Sequence, residues 1–240
     1  MPRSSPAGSE QHLAPQQESI TGQPTVSLSD IVAALEEDIV LGRLHPRERL
    51  IEEELIDRFG ATRHLVRQAL MELDRIGLIE RIPNRGALVR SYTADEVEQL
   101  YVLRELLESQ AAGLIPLPLP SSRLAELKTL QSAHDLAVER QDFAGIFRAN
   151  LAFHRHLFGC CNNIFLAGAI EAASQRAHGI RFLVLTSPND RETARLEHHA
   201  MIAAIGNNDR EALVRLCRDH LPASKKAYLR AYGATQPHNT

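Results

Sequence analysis

Cysteine is scarce in this 240-residue sequence: there are three, and Cys160 and Cys161 are adjacent. That arrangement suits neither a disulfide framework nor zinc-finger spacing, so free, buried thiols are expected. Long apolar runs are missing as well. Nothing approaches the roughly 20 residues needed to cross a bilayer, which excludes membrane-spanning helices. Residues 1–25, rich in Ser, Pro, Gln and Gly, lack the apolar stretch of a secretory signal and read as a disordered leader, so a cytoplasmic protein is expected. There is no basic excess either. The formal charge is -3, and a polyanionic partner has to be argued from local patterning. What remains is an ordinary globular composition, 44% hydrophobic and 24% charged, with length enough for two small domains that each bury a core.

Residues 26–91 read as the first domain. Ser27 or Ser29 can cap a helix whose apolar positions Ile31, Leu35, Ile39 and Val40 recur at helical spacing, with Gly42 as its stop. After a turn at His45 and Pro46, residues 52–59 repeat the pattern with Leu55, Ile56 and Phe59 inward, and Gly60 ends it. Thr62 caps a third helix with the stripe Leu65, Val66, Ala69, Leu70 and Leu73, broken at Gly77. Two short helices around a Gly-containing turn are the mark of a helix-turn-helix. From 78 to 89 the period changes to that of two strands around Pro83-Asn84-Arg85-Gly86, a hairpin wing.

The third helix opens with Thr62, Arg63, His64 and Arg67, while its apolar stripe faces the other way. In a helix-turn-helix that end enters the major groove of double-stranded DNA, where arginine bonds guanine O6 and N7 and its neighbours meet phosphates. Arg81 and the wing-tip Arg85 are placed to grip the flanking backbone or minor groove. The segments Asp38-Ile39-Val40-Leu41-Gly42-Arg43-Leu44, Phe59-Gly60-Ala61-Thr62-Arg63-His64-Leu65-Val66-Arg67-Gln68-Ala69-Leu70 and Pro83-Asn84-Arg85-Gly86 closely resemble the GntR superfamily. The resemblance spans 26–90 and implies that Thr62, Arg63, Arg67 and Gly86 lie at the DNA. Two positions depart from it. Arg47 stands where the family usually has a turn glycine, and His64-Leu65 replaces smaller residues and a proline, which bears on the operator sequence.

Residues 92–233 read as a second domain, followed by a tail at 234–240. Thr93 and Glu96 are spaced as a capping box. Helices are expected at about 94–113, 121–140, 142–161, 163–185, 190–205 and 209–231, without a strand signal among them. The fold class is therefore mainly α: a winged helix-turn-helix of three helices and a β-hairpin, followed by an antiparallel all-α bundle of about six helices.

Asn150 and His154 stack on one helix face, and His198 is near-level with His220 across a hairpin at Gly206-Asn207-Asn208. Three imidazoles and an amide oxygen would suit a first-row divalent metal with open positions. Equally, among eleven histidines a pair at any spacing is unremarkable, and His156, His178 and His199 read as exposed. Asn150-Leu151-Ala152-Phe153-His154-Arg155, Cys161-Asn162-Asn163, Glu197-His198 and His220-Leu221 resemble the FCD ligand-binding domain of the FadR branch, across the whole second half. The resemblance implies a divalent metal, zinc, nickel or manganese, at Asn150, His154, His198 and His220, with Asn150 where aspartate is commoner. It also implies that Arg104 points to the pocket to clamp a carboxylate. An intrahelical pair with Glu108 is the other reading. Arg148 and Arg181 are further candidates for an acidic effector. The expected function is a ligand-responsive transcription regulator, a repressor acting as a homodimer on an inverted repeat, that senses a small organic acid or sugar acid. Its rival is a metal-dependent enzyme. No Asp or Glu is placed by a recognisable motif as general base, so no catalytic residue is assigned.

Overall fold

The computed structural model describes residues 26–82, 86–181 and 187–232. The expected leader, the wing tip with Arg85 and the tail lie outside the described residues. The first half is built on α1 (Leu28–Val40), α2 (Glu52–Phe59) and α3 (Arg63–Ile76). Ser27 caps α1 reciprocally: its hydroxyl accepts from the Asp30 N–H, and its own N–H donates to the Asp30 carboxylate. The apolar stripes of the three helices meet at Ile31, Leu35, Leu55, Val66, Leu70 and Leu73. Beside this core the buried Asp38 receives Arg58 at 2.6 Å and Arg43 at 2.9 Å, which ties α1 to α2 and to the following turn.

The wing is a three-stranded sheet of order β1-β3-β2, formed by β1 (Arg49–Leu50), β2 (Ile79–Ile82) and β3 (Gly86–Val89). β2 and β3 are antiparallel, with Ile79 opposite Val89. The expected hairpin has gained β1 on its open edge, a strand of two residues, too short to show alternation in the sequence. The turn before β1 explains the usual glycine at position 47. Arg47 has φ +70° and donates its N–H to the Val89 carbonyl at 2.8 Å, so the left-handed turn is kept with a side chain that disfavours it.

The second half comprises α4 (Ala94–Leu114), α5 (Ser121–Glu139), α6 (Phe143–Gly159), α7 (Ile164–Arg176), α8 (Pro188–Gly206), α9 (Arg210–Asp219) and α10 (Pro222–Tyr232). Its core gathers around Leu127, Phe153, Leu157, Met201 and Leu213, and all three cysteines are free and buried there. Two expected helices are corrected. The one expected over 163–185 ends at Arg176, with a turn at Ala177 and a short helical piece at 178–181. The one expected over 209–231 breaks at His220 and Leu221, because Pro222 has no N–H to continue the ladder and instead opens α10.

The halves meet around Tyr92. Its hydroxyl is 2.9 Å from the Gly77 carbonyl at the end of α3 and 3.0 Å from the Arg176 carbonyl at the end of α7, and its N–H donates to the Tyr228 hydroxyl at 3.0 Å. The approach requires glycine at 77, where φ is +85° and an added Cβ would stand 3.1 Å from Arg176 Cγ. Two further contacts reach α1: His178 Nδ1 lies 2.6 Å from Glu36, and Arg148 lies 2.6 Å from Glu37.

Two outcomes follow from these geometries. Arg47→Gly relieves the left-handed penalty and should raise unfolding stability by roughly 0.5–1 kcal/mol in urea titrations, the gain being reduced by the freer unfolded chain. Burial holds the His178 imidazole below its usual 6.5, with Glu36 opposing that shift. Its native state therefore resists protonation while the unfolded state accepts it. The associated stability is intact above pH 6.5 and is lost as the pH falls below that value. His178→Gln should flatten that part of the wild-type decline in urea midpoint between pH 7.5 and 5.

Candidate functional site

The opening of α3 and the sheet enclose a groove lined by Arg49, Arg63, Arg67, Arg81 and Gly86, together with Glu52 and Glu53 at the start of α2. Four of the expected DNA-facing residues, Arg63, Arg67, Arg81 and Gly86, are thus brought together. Thr62 and His64 are exposed at the start of the same helix, where the Thr62 hydroxyl caps α3 by accepting the Leu65 N–H. Arg49 escaped the sequence reading, because the two-residue strand that carries it shows no period; in the structure it is exposed beside the buried Leu50. Arg67 donates to Glu52 at 2.9 Å, and Arg63 donates to Glu53 at 3.0 Å and lies 3.5 Å from Glu52. Arg63 and Arg67 are therefore held by the acids of α2. Gly86 has φ +88°, and an added Cβ would stand 3.3 Å from the Leu50 carbonyl, so a side chain there would disturb the wing.

The second cluster lies inside the bundle. His154 Nε2 is 3.1 Å from His198 Nε2 and 3.2 Å from His220 Nε2, so three imidazoles from α6, α8 and the end of α9 present the same nitrogen to one point. His198 Nδ1 donates to Gln131 Oε1 at 2.9 Å, and Gln131 is turned that way because its amide N–H₂ donates to Asp135 at 2.7 Å. His220 Nδ1 donates to Glu197 at 2.6 Å. With their protons on Nδ1, His198 and His220 both offer lone pairs at Nε2. A neutral His154 carries one ring proton and can answer at most one of them. Burial and neighbouring positive charge hold His154 and His198 well below the usual histidine range, so both are neutral at pH 7. Converging lone pairs of this kind call for a cation. At about 2.1 Å from a metal, nitrogens subtending 90–109° stand roughly 3.0–3.4 Å apart, and the observed separations fit. The three histidines could hold a divalent metal.

Asn150, one turn before His154 on α6, lines a cavity of about 80 Å³ with His220, Glu197, His134, Arg104 and Arg181. A second cavity, about 200 Å³, has His154, Arg155, Glu171 and the same two arginines in its wall. For Arg104 both readings hold. It pairs with Glu108 at 2.9 Å, fully buried, and it lines both cavities. Arg148 does not reach them. Two residues turn an α-helix by about 200°, so Arg148 faces away from Asn150 and is held by Glu37 instead. Of the histidines read as exposed, only His199 is. His178 is buried at the junction of the halves, and the His156 ring lies between Glu126 and the Arg123 carbonyl. The sequence reading also missed Gln131, which orients His198, and His134, a buried imidazole whose ring centre is 5.0 Å from that of His198. Burial pushes His134 down to about 4.

A winged helix-turn-helix joined to a helical domain with a polar centre defines a DNA-binding transcription regulator. Residues 28–89 match the family of bacterial regulatory proteins described as gntR, and residues 99–223 match the FCD domain. The chain belongs to the GntR family of regulators with an FCD domain. The HTH-type transcriptional regulator YdhC of Bacillus subtilis is 27% identical over 191 residues, covering 79% of this chain and 85% of that protein. The HTH-type transcriptional repressor RspR of Escherichia coli is 25% identical over 191 residues, covering 80% and 84%. Among solved structures, E. coli McbR/YncC superposes with a TM-score of 0.74 at 23% identity, covering 86% of this chain and 99% of that one, which shows the shared fold.

Because Glu197 sets the His220 tautomer, Glu197→Gln should weaken zinc affinity about 10- to 100-fold, read by competition with a chromogenic chelator. His154→Ala should weaken it further.

Proposed function

We propose that the chain is a homodimeric repressor whose two winged domains grip the half-sites of an inverted-repeat operator, and whose bundle senses a small organic acid or sugar acid at a metal centre. The three converging Nε2 atoms carry the sensor part of this reading. The division into a DNA-binding domain at 26–91 and a ligand domain at 92–233 belongs to the same proposal, as does action in the cytoplasm. No helix among the described residues is long and apolar enough to cross a membrane.

On the DNA side, Arg63, His64 and Arg67 read base edges from the major groove, while Thr62, Arg81, Arg85, Gly86 and Arg49 position the protein on the backbone. Glu52 and Glu53 compete with the DNA for Arg63 and Arg67. On the sensor side, Asn150, His154, His198 and His220 hold zinc, nickel or manganese, with Asn150 contributing a neutral oxygen. A bound divalent metal supplies Lewis-acid positions for carboxylate oxygens. Arg104, already neutralised by Glu108, donates a further hydrogen bond to the acid. Glu197 is taken up by His220 rather than left as a general base, which favours a sensor over a hydrolase. The repressor RspR is a relative at 25% identity, which supports repression as the outcome.

The decisive experiment titrates the zinc-loaded protein onto DNA from its own upstream region, followed by fluorescence anisotropy. Binding should weaken steeply with salt, by a slope near -0.9 for each phosphate neutralised. Arg67→Ala should cost about 1–3 kcal/mol, and Glu52→Gln should tighten binding by freeing Arg67, with Arg63 still held by Glu53. Salt-insensitive binding, or an Arg67→Ala variant that binds as wild type, would overturn the DNA reading. Zinc that fails to bind would overturn the metal centre.

A further inference from the structure

Charges in the wall of the two cavities are mostly answered from within the protein. Arg104 is paired with Glu108, and Arg155 with Glu171. Among the described residues no carboxylate forms an ion pair with Arg181. Its Nη2 reaches the Ser174 hydroxyl at 3.3 Å, and its Nη1 is buried without a hydrogen-bond partner while the residue lines both cavities. Burial and the neighbouring Arg104 push its guanidinium down to about 10, which still leaves it charged at neutral pH. A buried cation with an orphan donor is costly, and it is satisfied where a ligand supplies the counter-charge.

The short stretch that carries Arg181 is also the one that touches the DNA-binding half. The Arg176 carbonyl accepts from Tyr92 at 3.0 Å, and His178 meets Glu36 of α1 at 2.6 Å. An added Cβ on Gly179 would stand 3.8 Å from Ile39 Cγ2, also on α1. Ile180 belongs to the apolar cluster around Tyr92 and Tyr228. The His178 ring stands edge-on to Phe147 at 5.1 Å, and Phe147 lines the smaller cavity beside Arg181. Within six residues, then, the chain passes from the wall of the cavity to the surface of α1.

We propose that Arg181 receives a second anionic group of the effector, which makes the preferred ligand a small dicarboxylate, and that residues 176–181 relay its occupancy to α1 through the His178–Glu36 contact. The proposal rests on the reading of the cavities as an effector site. One carboxylate takes the open positions of the metal, and the other answers the orphan guanidinium. An acid with a single carboxylate satisfies one of the two. Drawing Arg181 toward an anion pulls on a stretch that meets α1 at His178 and Gly179, so the ligand gains a differential contact with two arrangements of the halves.

The test uses the full-length zinc-loaded protein, with succinate, malate and acetate as probes. Calorimetry should show succinate or malate binding at least tenfold tighter than acetate. Arg181→Gln should erase that margin with zinc affinity unchanged, and Arg181→Lys should restore part of it. Because the glutamine variant removes an unanswered buried charge, its metal-free Tm should not fall, which separates loss of binding from loss of fold. Hydrogen exchange across residues 28–40 should respond to the bound diacid in wild type. In His178→Gln the diacid should bind as before with that response lost. No diacid binding, equal binding of acetate, or a margin that survives Arg181→Gln overturns the receptor assignment. A persisting α1 response in His178→Gln overturns the relay. If zinc fails to bind while the diacid margin still depends on Arg181, the metal reading fails and this proposal stands.

Discussion

Three imidazole nitrogens that meet at 3.1–3.2 Å inside a helical bundle impose a constraint on everything around them. To share one cation, the rings must offer their Nε2 lone pairs together and be unable to swing away. For His198 and His220 the surrounding side chains supply these conditions. Phe153 stacks on His198 with ring centres 4.3 Å apart, Gln131 and Glu197 accept the outward protons of His198 and His220, and burial disfavours the charged forms. Rotating α6, α8 or the end of α9 by a fraction of a turn would bury an imidazole without a partner. The register of the bundle is thus specified by polar contacts as much as by its aliphatic core.

How much of this was legible in the sequence depended on whether a feature was local. Caps and left-handed glycines act within a few residues, so the three helices of the DNA-binding half could be read from Ser27, Thr62, Gly60 and Gly77. The i, i+4 stacking of Asn150 and His154 was local as well. His220 was harder, because it sits at the end of a helix that the sequence reading had continued through Pro222. Its level with His198 was still apparent, since a hairpin preserves that relation across its turn. Arg148 and Arg181 looked equivalent as candidates for an acidic effector. Helix phase sends the first to Glu37, and only the three-dimensional packing shows that the second has no counter-ion among the described residues. The strand β1 carried no readable period, and its residue Arg49 was missed with it.

The joint between the halves is small and largely polar, with an apolar cluster of Tyr92, Val97, Tyr101, Ile180, Leu221 and Tyr228 at its heart. Leu221 follows His220 directly, and Ile180 precedes Arg181. The cavity-lining His220 and Arg181 therefore each stand one residue from the same cluster. Tyr92 then carries that cluster to the end of α3 through the Gly77 carbonyl, and α3 is the helix that presents Arg63 and Arg67. The contacts from the cavity wall to α3 are a sequence of packed residues, and in the proposed reading this is the joint that small shifts would bias.

The acids of α2 give that bias something to act upon. Glu52 bonds Arg67 at 2.9 Å and approaches Arg63 at 3.5 Å, so in the proposed reading part of the phosphate and base affinity is offset before DNA arrives. Coupling between sites commonly amounts to about 1–3 kcal/mol, and such a step changes occupancy only where affinity is already poised near the working concentration. The same glutamates lie at the N-terminus of α2, where a carboxylate is stabilised by the helix dipole whether or not an arginine is present. In the proposed reading they would therefore give up Arg63 and Arg67 to DNA at less cost than isolated ion pairs could, and take them back when the complex dissociates.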